Sequence, residues 1–326
     1  MGQDDEDTFE EIEDETTYKV RSDKEVVYDL SESEEMEIPL ESTVKKTGTL
    51  PSSMANLSNT ILGAGMLGIP GALVTTGLLF GVFLVGLSAS LSFFGLHLLA
   101  EASIELKKRG YDKVTFSNVA QESFPKLKLL INLAIAIKCY GVSISYLVVI
   151  GDLMPEAVSY IFNVHEGFFV DRRFYISLLM VVIVPLAFLP RINDLRFTSW
   201  VALFTVAYLT IMILGYYFVT DWSDVKEPFY YWHLDLKFFQ VMPIFVFAFT
   251  CHQNLFAIFT ELQDNTFARI NTVIGVSIFS CLVVYELVSI AGYSTYGASC
   301  SGNILLDYPQ DVVSTIGRLA VTVLVT

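Results

Sequence analysis

Charge is what this sequence has least of once its first fifty residues are passed. Only 17% of the 326 residues are Asp, Glu, Lys or Arg. The formal net charge of −15 sits at one end: residues 1–50 hold 17 acids and five bases, or −12, which leaves −3 for the remainder. A body so poor in charge offers no basic footprint, and no nucleic-acid partner is expected. Cysteine is sparse as well: of four, Cys139, Cys251 and Cys281 fall inside apolar segments, so no disulfide framework can be drawn. Metal-ligand clusters, phosphate loops and catalytic triads are missing. That leaves no catalytic residue, metal or cofactor to assign and points away from an enzyme. The adjacent Cys251 and His252 do not make a nucleophile pair, because neighbouring side chains point apart and no third group orients them. The acidic segment lacks a signal-peptide apolar core, a helical apolar period and all but a few aromatics. Residues 1–50 are therefore expected to be a disordered cytosolic tail, repelled by anionic headgroups and open to a protein partner or to phosphorylation at Ser31 and Ser33.

What is present is apolar length. With 53% hydrophobic residues, segments at about 52–75, 79–104, 128–155, 174–190, 197–219, 238–260 and 270–293 are long enough to be read as membrane spans, and an eighth begins near 311. The expected fold is an all-α polytopic transmembrane bundle over residues 51–326, with the lipid bilayer as its surroundings. Lys and Arg are in excess in the loops that share a side with the acidic segment, which places the N-terminus in the cytosol. Trp200 and Tyr230-Tyr231-Trp232 stand where interfacial aromatic belts are expected. The eighth segment, Asp311 to Thr326, would rise only about 24 Å against a hydrocarbon core of about 30 Å. It is expected to be truncated inside the membrane, part of a longer protein.

Two spans are interrupted. Gly63, Gly65 and Gly68 strip side chains from one short stretch of the first, and Pro70 removes a backbone donor. In the sixth, Thr250-Cys251-His252-Gln253-Asn254 sets five polar or semi-polar residues between Phe-rich runs. Unpaired backbone is intolerable in hydrocarbon, so helices broken there must turn their freed groups toward protein, water or a ligand. Amides around Gly63, Ala64 and Gly65 would suit a carboxylate, and carbonyls near Phe249 and Thr250 an ammonium group. Two readings stay open: a solute site, or a small-residue packing face for the glycines and a bundle-holding hydrogen bond for His252.

Other intramembrane ionisable groups are costly without partners. His97 and Glu101, four apart, could relay a proton or simply be solvated at the interface. Lys138 could snorkel to the cytosolic interface. Glu286, deeper in the seventh span, is a proton-carrier candidate or half of a buried pair. Asp152 is expected to cap the outer end of the third span.

Four ordered motifs carry a resemblance over residues 50–326: Asn56-Leu57-Ser58-Asn59-Thr60-Ile61-Leu62-Gly63-Ala64-Gly65-Met66-Leu67-Gly68-Ile69-Pro70, Gly141 to Pro155, Phe247-Ala248-Phe249-Thr250-Cys251-His252-Gln253-Asn254, and Gly292-Tyr293-Ser294-Thr295-Tyr296-Gly297. With these the chain resembles the amino acid/auxin permease family, which includes fungal vacuolar amino acid transporters and sodium-coupled neutral amino acid transporters. The resemblance implies a five-plus-five inverted-repeat fold with broken first and sixth spans. It implies substrate-binding positions at Gly63, Ala64, Gly65 and Met66 on one break and Phe249, Thr250 and Cys251 on the other. Ion-coupling candidates are Asn59, His252, Glu286 and Thr326, the coupling ion being H+ or Na+. Gln253 stands where several sodium-coupled relatives carry Pro, which leans toward the proton-driven vacuolar branch. The expected function is secondary transport of an amino acid, a neutral one because no charged residue is dedicated to a side chain. The competing readings are an amino-acid-binding nutrient receptor that signals through its tail and a non-transporting truncated product.

Overall fold

A computed structural model describes residues 48–63, 65–111, 113–187, 195–220 and 229–325. The expected tail over 1–50 lies almost wholly outside the described residues, as do Ala64 and Thr326. Among the described residues the chain is helical, with one isolated parallel bridge, Gly48 to Leu262, and no strand. The α-helices are α1 (Leu50–Ile61), α2 (Gly65–Thr76), α3 (Leu78–Lys108), α4 (Phe116–Ser123), α5 (Lys128–Phe162), α6 (Arg172–Ala187), α7 (Leu195–Val219), α8 (Phe238–Ala248), α9 (Leu255–Glu261), α10 (Phe267–Tyr296) and α11 (Val312–Val325). Among the described residues, five stretches are long and apolar enough to cross a membrane, and α1 with α2, bent by 46°, makes a sixth when counted as one broken span. At 16 and 14 residues, α6 and α11 occupy the expected fourth and eighth positions but are shorter than that length. This is a multi-pass membrane protein.

Local chemistry sets the helix ends. The Thr49 hydroxyl accepts from the Ser52 amide to cap α1, and Pro51 sits in the first turn, where its missing N–H has no partner to lose. Gly77, at φ 73°, makes the corner between α2 and α3. A Cβ there would come within 2.7 Å of the His233 amide nitrogen, so only glycine supplies both the left-handed backbone and the close approach. The gap is closed by the segment before α8. The amides of Leu78 and Leu79 donate to the carbonyls of Tyr230 and Tyr231, and the His233 amide donates to Thr76. The expected aromatic-belt residues thus also satisfy the open start of α3, with Trp232 against Phe80 at 4.9 Å.

Two helix boundaries differ from expectation. Pro70 does not mark an unwound stretch: helix resumes at Gly65, and Pro70 lies inside α2 with its ring against Gly292 of α10, where a Cβ would meet it at 3.2 Å. Asp152 does not cap the third span, because α5 runs through Pro155 to Asn163, whose left-handed backbone (φ 50°) ends it. The carbonyl that Pro155 cannot bond belongs to Gly151. Asp152 pairs instead with Arg172, 3.0 Å away, tying α5 to the start of α6.

α3 shows how an almost uniformly apolar helix chooses its faces. Leu79, Phe83, Leu87, Leu91, Phe94 and Leu98 point outward, whereas Gly81, Val85, Ala89, Ser92, Leu96, Ala100 and Ser103 are buried. Water does not drive helices together inside lipid, so small residues that permit close backbone approach mark the packed side. That side meets α10, the centre of the bundle, which also packs on α1, α2 and α7.

Candidate functional site: a cavity between two broken helices

Both interruptions become breaks of helix, and their ends meet. α1 stops at Ile61 and α8 at Ala248, each presenting its carbonyl end to the same place. α10 supplies the donors. Ser277, Cys281 and Tyr285, at successive spacings of four, lie on one face; Ser277 donates to the Met54 carbonyl (3.1 Å) and the Cys281 thiol to the Ser58 carbonyl (3.8 Å). The fully buried Tyr285 hydroxyl bonds the Ile61 carbonyl and lies 3.1 Å from that of Ala248. One hydroxyl therefore stands between the ends of both broken spans.

The second break is closed carbonyl by carbonyl. Val246 accepts from the Thr250 hydroxyl (2.7 Å), Phe247 from the Thr250 amide (3.0 Å) and Ala248 from Tyr285. Phe249 accepts from Ser92 of α3 (2.7 Å), Thr250 from the Lys138 ammonium of α5 (3.4 Å) and Cys251 from the Asn254 amide (3.0 Å). In hydrocarbon this is what permits a six-residue gap between α8 and α9. The first break is tighter: the Gly63 amide turns back on Ile61 (2.8 Å), and the Met66 amide reaches the Gly63 carbonyl (3.3 Å). Asn254 then joins the two breaks, donating from Nδ2 to the Thr60 hydroxyl at 2.8 Å.

Between them lies a cavity of about 230 Å³, room for about eight waters at about 30 Å³ each and small beside drug-sized pockets. The first break gives it Asn59, Thr60, Gly63 and Gly65, and the second gives Phe247, Ala248, Thr250, Gln253 and Asn254. Lys138, Val142 and Tyr146 of α5 and Leu324 and Val325 of α11 complete the wall. A wider cavity of about 510 Å³ adjoins α4, α5 and α9, and Gln253 lines both.

The structure thus brings Asn59, Gly63, Gly65 and Thr250 to one cavity. Met66, Phe249 and Cys251 are buried in the packed core and do not line it, and Ala64 and Thr326 are outside the described residues. Gly65 serves packing too: a Cβ there would lie 3.0 Å from the Ala248 Cα and 3.3 Å from the Tyr285 hydroxyl. His252 does not line the cavity; its ring fills the space beside Gly95 of α3, where a Cβ would meet Nε2 at 2.8 Å. Glu286 is half-buried away from the cavity, and its Oε2 has no hydrogen-bond partner among the described residues. His97 pairs with Asn271 of α10 at 3.0 Å, and Glu101 is exposed. Lys138, which sequence alone left to snorkelling, reaches the second break instead. Ser92 and Tyr285, missed entirely, were marked only by being polar at small-residue and every-fourth positions of apolar helices.

A cavity between paired helix breaks is a feature of solute carriers, and the comparisons with known proteins bear on the family. The family model for transmembrane amino acid transporter proteins matches residues 46–326. The chain belongs to that family. It is 37% identical over 275 residues to vacuolar amino acid transporter 5 of Schizosaccharomyces pombe, covering 84% of this chain and 64% of that protein. It is 36% identical over 284 residues to vacuolar amino acid transporter 6 of Saccharomyces cerevisiae, covering 85% and 62%. The chain therefore spans a little under two thirds of the length of these curated relatives. They are amino acid transporters rather than enzymes.

Proposed function

We propose that the protein is a secondary transporter that carries a neutral amino acid across a vacuolar membrane by alternating access, driven by a proton gradient. The observation that carries this reading is the cavity of about 230 Å³ walled by both broken spans, a volume suited to one free amino acid rather than a peptide. Substrate sits between the first break and the second, touching Asn59, Gly63, Gly65 and Thr250. The paired breaks belong to two inverted five-helix repeats, the second continuing beyond α11. The wider cavity that shares Gln253 is the path toward the side bearing the N-terminus, which is cytosolic. The vacuolar assignment is supported by the relatives, which are vacuolar amino acid transporters, and proton coupling over sodium by Gln253 at the second break. Glu286 and His252 are the protonatable candidates. The acidic residues 1–50 are a regulatory arm for a protein partner.

Uptake of labelled neutral, basic and acidic amino acids into proteoliposomes, under separate pH and sodium gradients, tests the proposal. Saturable uptake of a neutral amino acid under a pH gradient alone is expected. Retained binding with no uptake under either gradient would refute transport and favour a receptor.

A further inference from the structure

Among the described residues no carboxylate pairs with Lys138. Its side chain is partly buried and borders the cavity between the breaks, where its ammonium contacts the Thr250 carbonyl at 3.4 Å. It enters none of the four salt bridges found among the described residues, and no Asp or Glu lines the cavity. A full charge held inside a membrane domain is costly unless an opposite charge meets it. The other polar side chains of the wall, Asn59, Thr60, Tyr146, Thr250, Gln253 and Asn254, are amides and hydroxyls, all neutral. The cavity is therefore electrically one-sided, positive at the second break, and an anionic group entering it completes the pair.

Resting on the transporter reading above, we propose that Lys138 is the counter-charge of the substrate carboxylate and the residue that bars cationic amino acids from the cavity. A carboxylate beside Lys138 accepts a charge-assisted hydrogen bond from an ammonium that otherwise rests on Thr250. A second positive charge on the substrate side chain is repelled by the ammonium at the short distances this small cavity imposes. The class admitted is thus amino acids with uncharged or acidic side chains. Lysine, arginine and the primary amides of amino acids, which lack the carboxylate, are excluded.

The test compares uptake by the full gene product and by its Lys138→Gln and Lys138→Arg variants in proteoliposomes. Glutamine removes the charge and keeps a polar end on a side chain one atom shorter, and thermal unfolding in detergent checks that the variant remains folded. The wild type should discriminate between its best neutral substrate and that substrate's primary amide. In Lys138→Gln the gap should narrow by about tenfold or more, a change of about 1.4 kcal/mol or more, carried by KM rather than kcat. Lysine and arginine should become competitors in that variant, whereas Lys138→Arg, which keeps the charge, should keep the acid-to-amide discrimination and the exclusion of both, whatever its overall rate. An unchanged acid-to-amide ratio in a stable Lys138→Gln variant would overturn the assignment while leaving transport intact. A wild type that carries lysine or arginine as well as neutral amino acids would overturn it too. Absence of uptake by the wild type would instead refute the transporter reading on which it rests.

Discussion

Replacing Tyr285 by Phe removes one oxygen and leaves the ring, whose edge-on contact with Phe249 at 5.1 Å survives. No methylene-sized void is created, so the loss isolates the hydrogen bonds. The carbonyls of Ile61 and Ala248, the last residues of α1 and α8, share that hydroxyl. In the variant the Ala248 carbonyl loses its side-chain donor, and Ile61 keeps only the Gly63 amide at 2.8 Å. Leaving a buried acceptor unsatisfied costs about 1–3 kcal/mol, whereas an ordinary lost hydrogen bond costs about 1 kcal/mol. The expected destabilisation is thus about 1–3 kcal/mol. Because both acceptors lie at the breaks, it should appear as a fall in transport rate of about 5- to 150-fold if the whole cost falls on the transport step. Ser277→Ala is the control. It removes a donor of the same kind two turns away on the same face, but its acceptor, the Met54 carbonyl, lies within α1 rather than at its end. It should therefore cost about 1 kcal/mol of stability and leave the uptake rate near wild type. Thermal unfolding in detergent and initial uptake rates measured on the same preparations separate the two effects. A Tyr285→Phe variant with wild-type unfolding and uptake, or one no different from Ser277→Ala, would refute the idea that this hydroxyl joins the two breaks.

Gly65→Val should lower folded yield and transport together, because even a Cβ meets the Ala248 backbone at 3.0 Å; well-folded but inactive protein would show instead that the glycine serves the ligand alone. Ser92→Ala removes the side-chain donor to the Phe249 carbonyl, which keeps the Cys251 amide at 3.1 Å, so a loss near 1 kcal/mol by thermal unfolding is expected. Glu286→Gln should abolish the pH dependence of uptake while substrate exchange persists, and an unaltered pH profile would remove Glu286 from the coupling path.

The helical architecture was legible because apolar runs of membrane length are hard to hide, and both breaks were legible because glycine clusters and consecutive polar residues are conspicuous in such runs. The boundaries were less so. Pro70 and Asp152 were read as helix punctuation, but a helix tolerates Pro70 when its ring packs on Gly292, and Asp152 had an unforeseen partner in Arg172. The split among the site residues has one physical cause. Sequence identifies a break, whereas the direction in which each side chain leaves it depends on neighbours from other helices. Thr250 faces the cavity, Cys251 is buried, and His252 fits against Gly95. The sequence directs Lys138 to the cytosolic interface, and only the fold brings α5 beside the second break. The Ser277, Cys281 and Tyr285 spacing was in the sequence throughout, and a search for polar residues every fourth position in α10 would have found it.

The central claim is that substrate occupies the cavity between the breaks. Val142 lines that cavity from α5, while Cys139 is exposed and Cys251, Cys281 and Cys300 are buried. A Val142→Cys variant in a Cys139→Ser background, reacted with a small thiosulfonate in the full gene product, reports on it directly. Saturating concentrations of a transported amino acid should slow the modification of Val142→Cys, and an untransported solute should not. Uptake that saturates while the rate of modification stays the same would contradict the account.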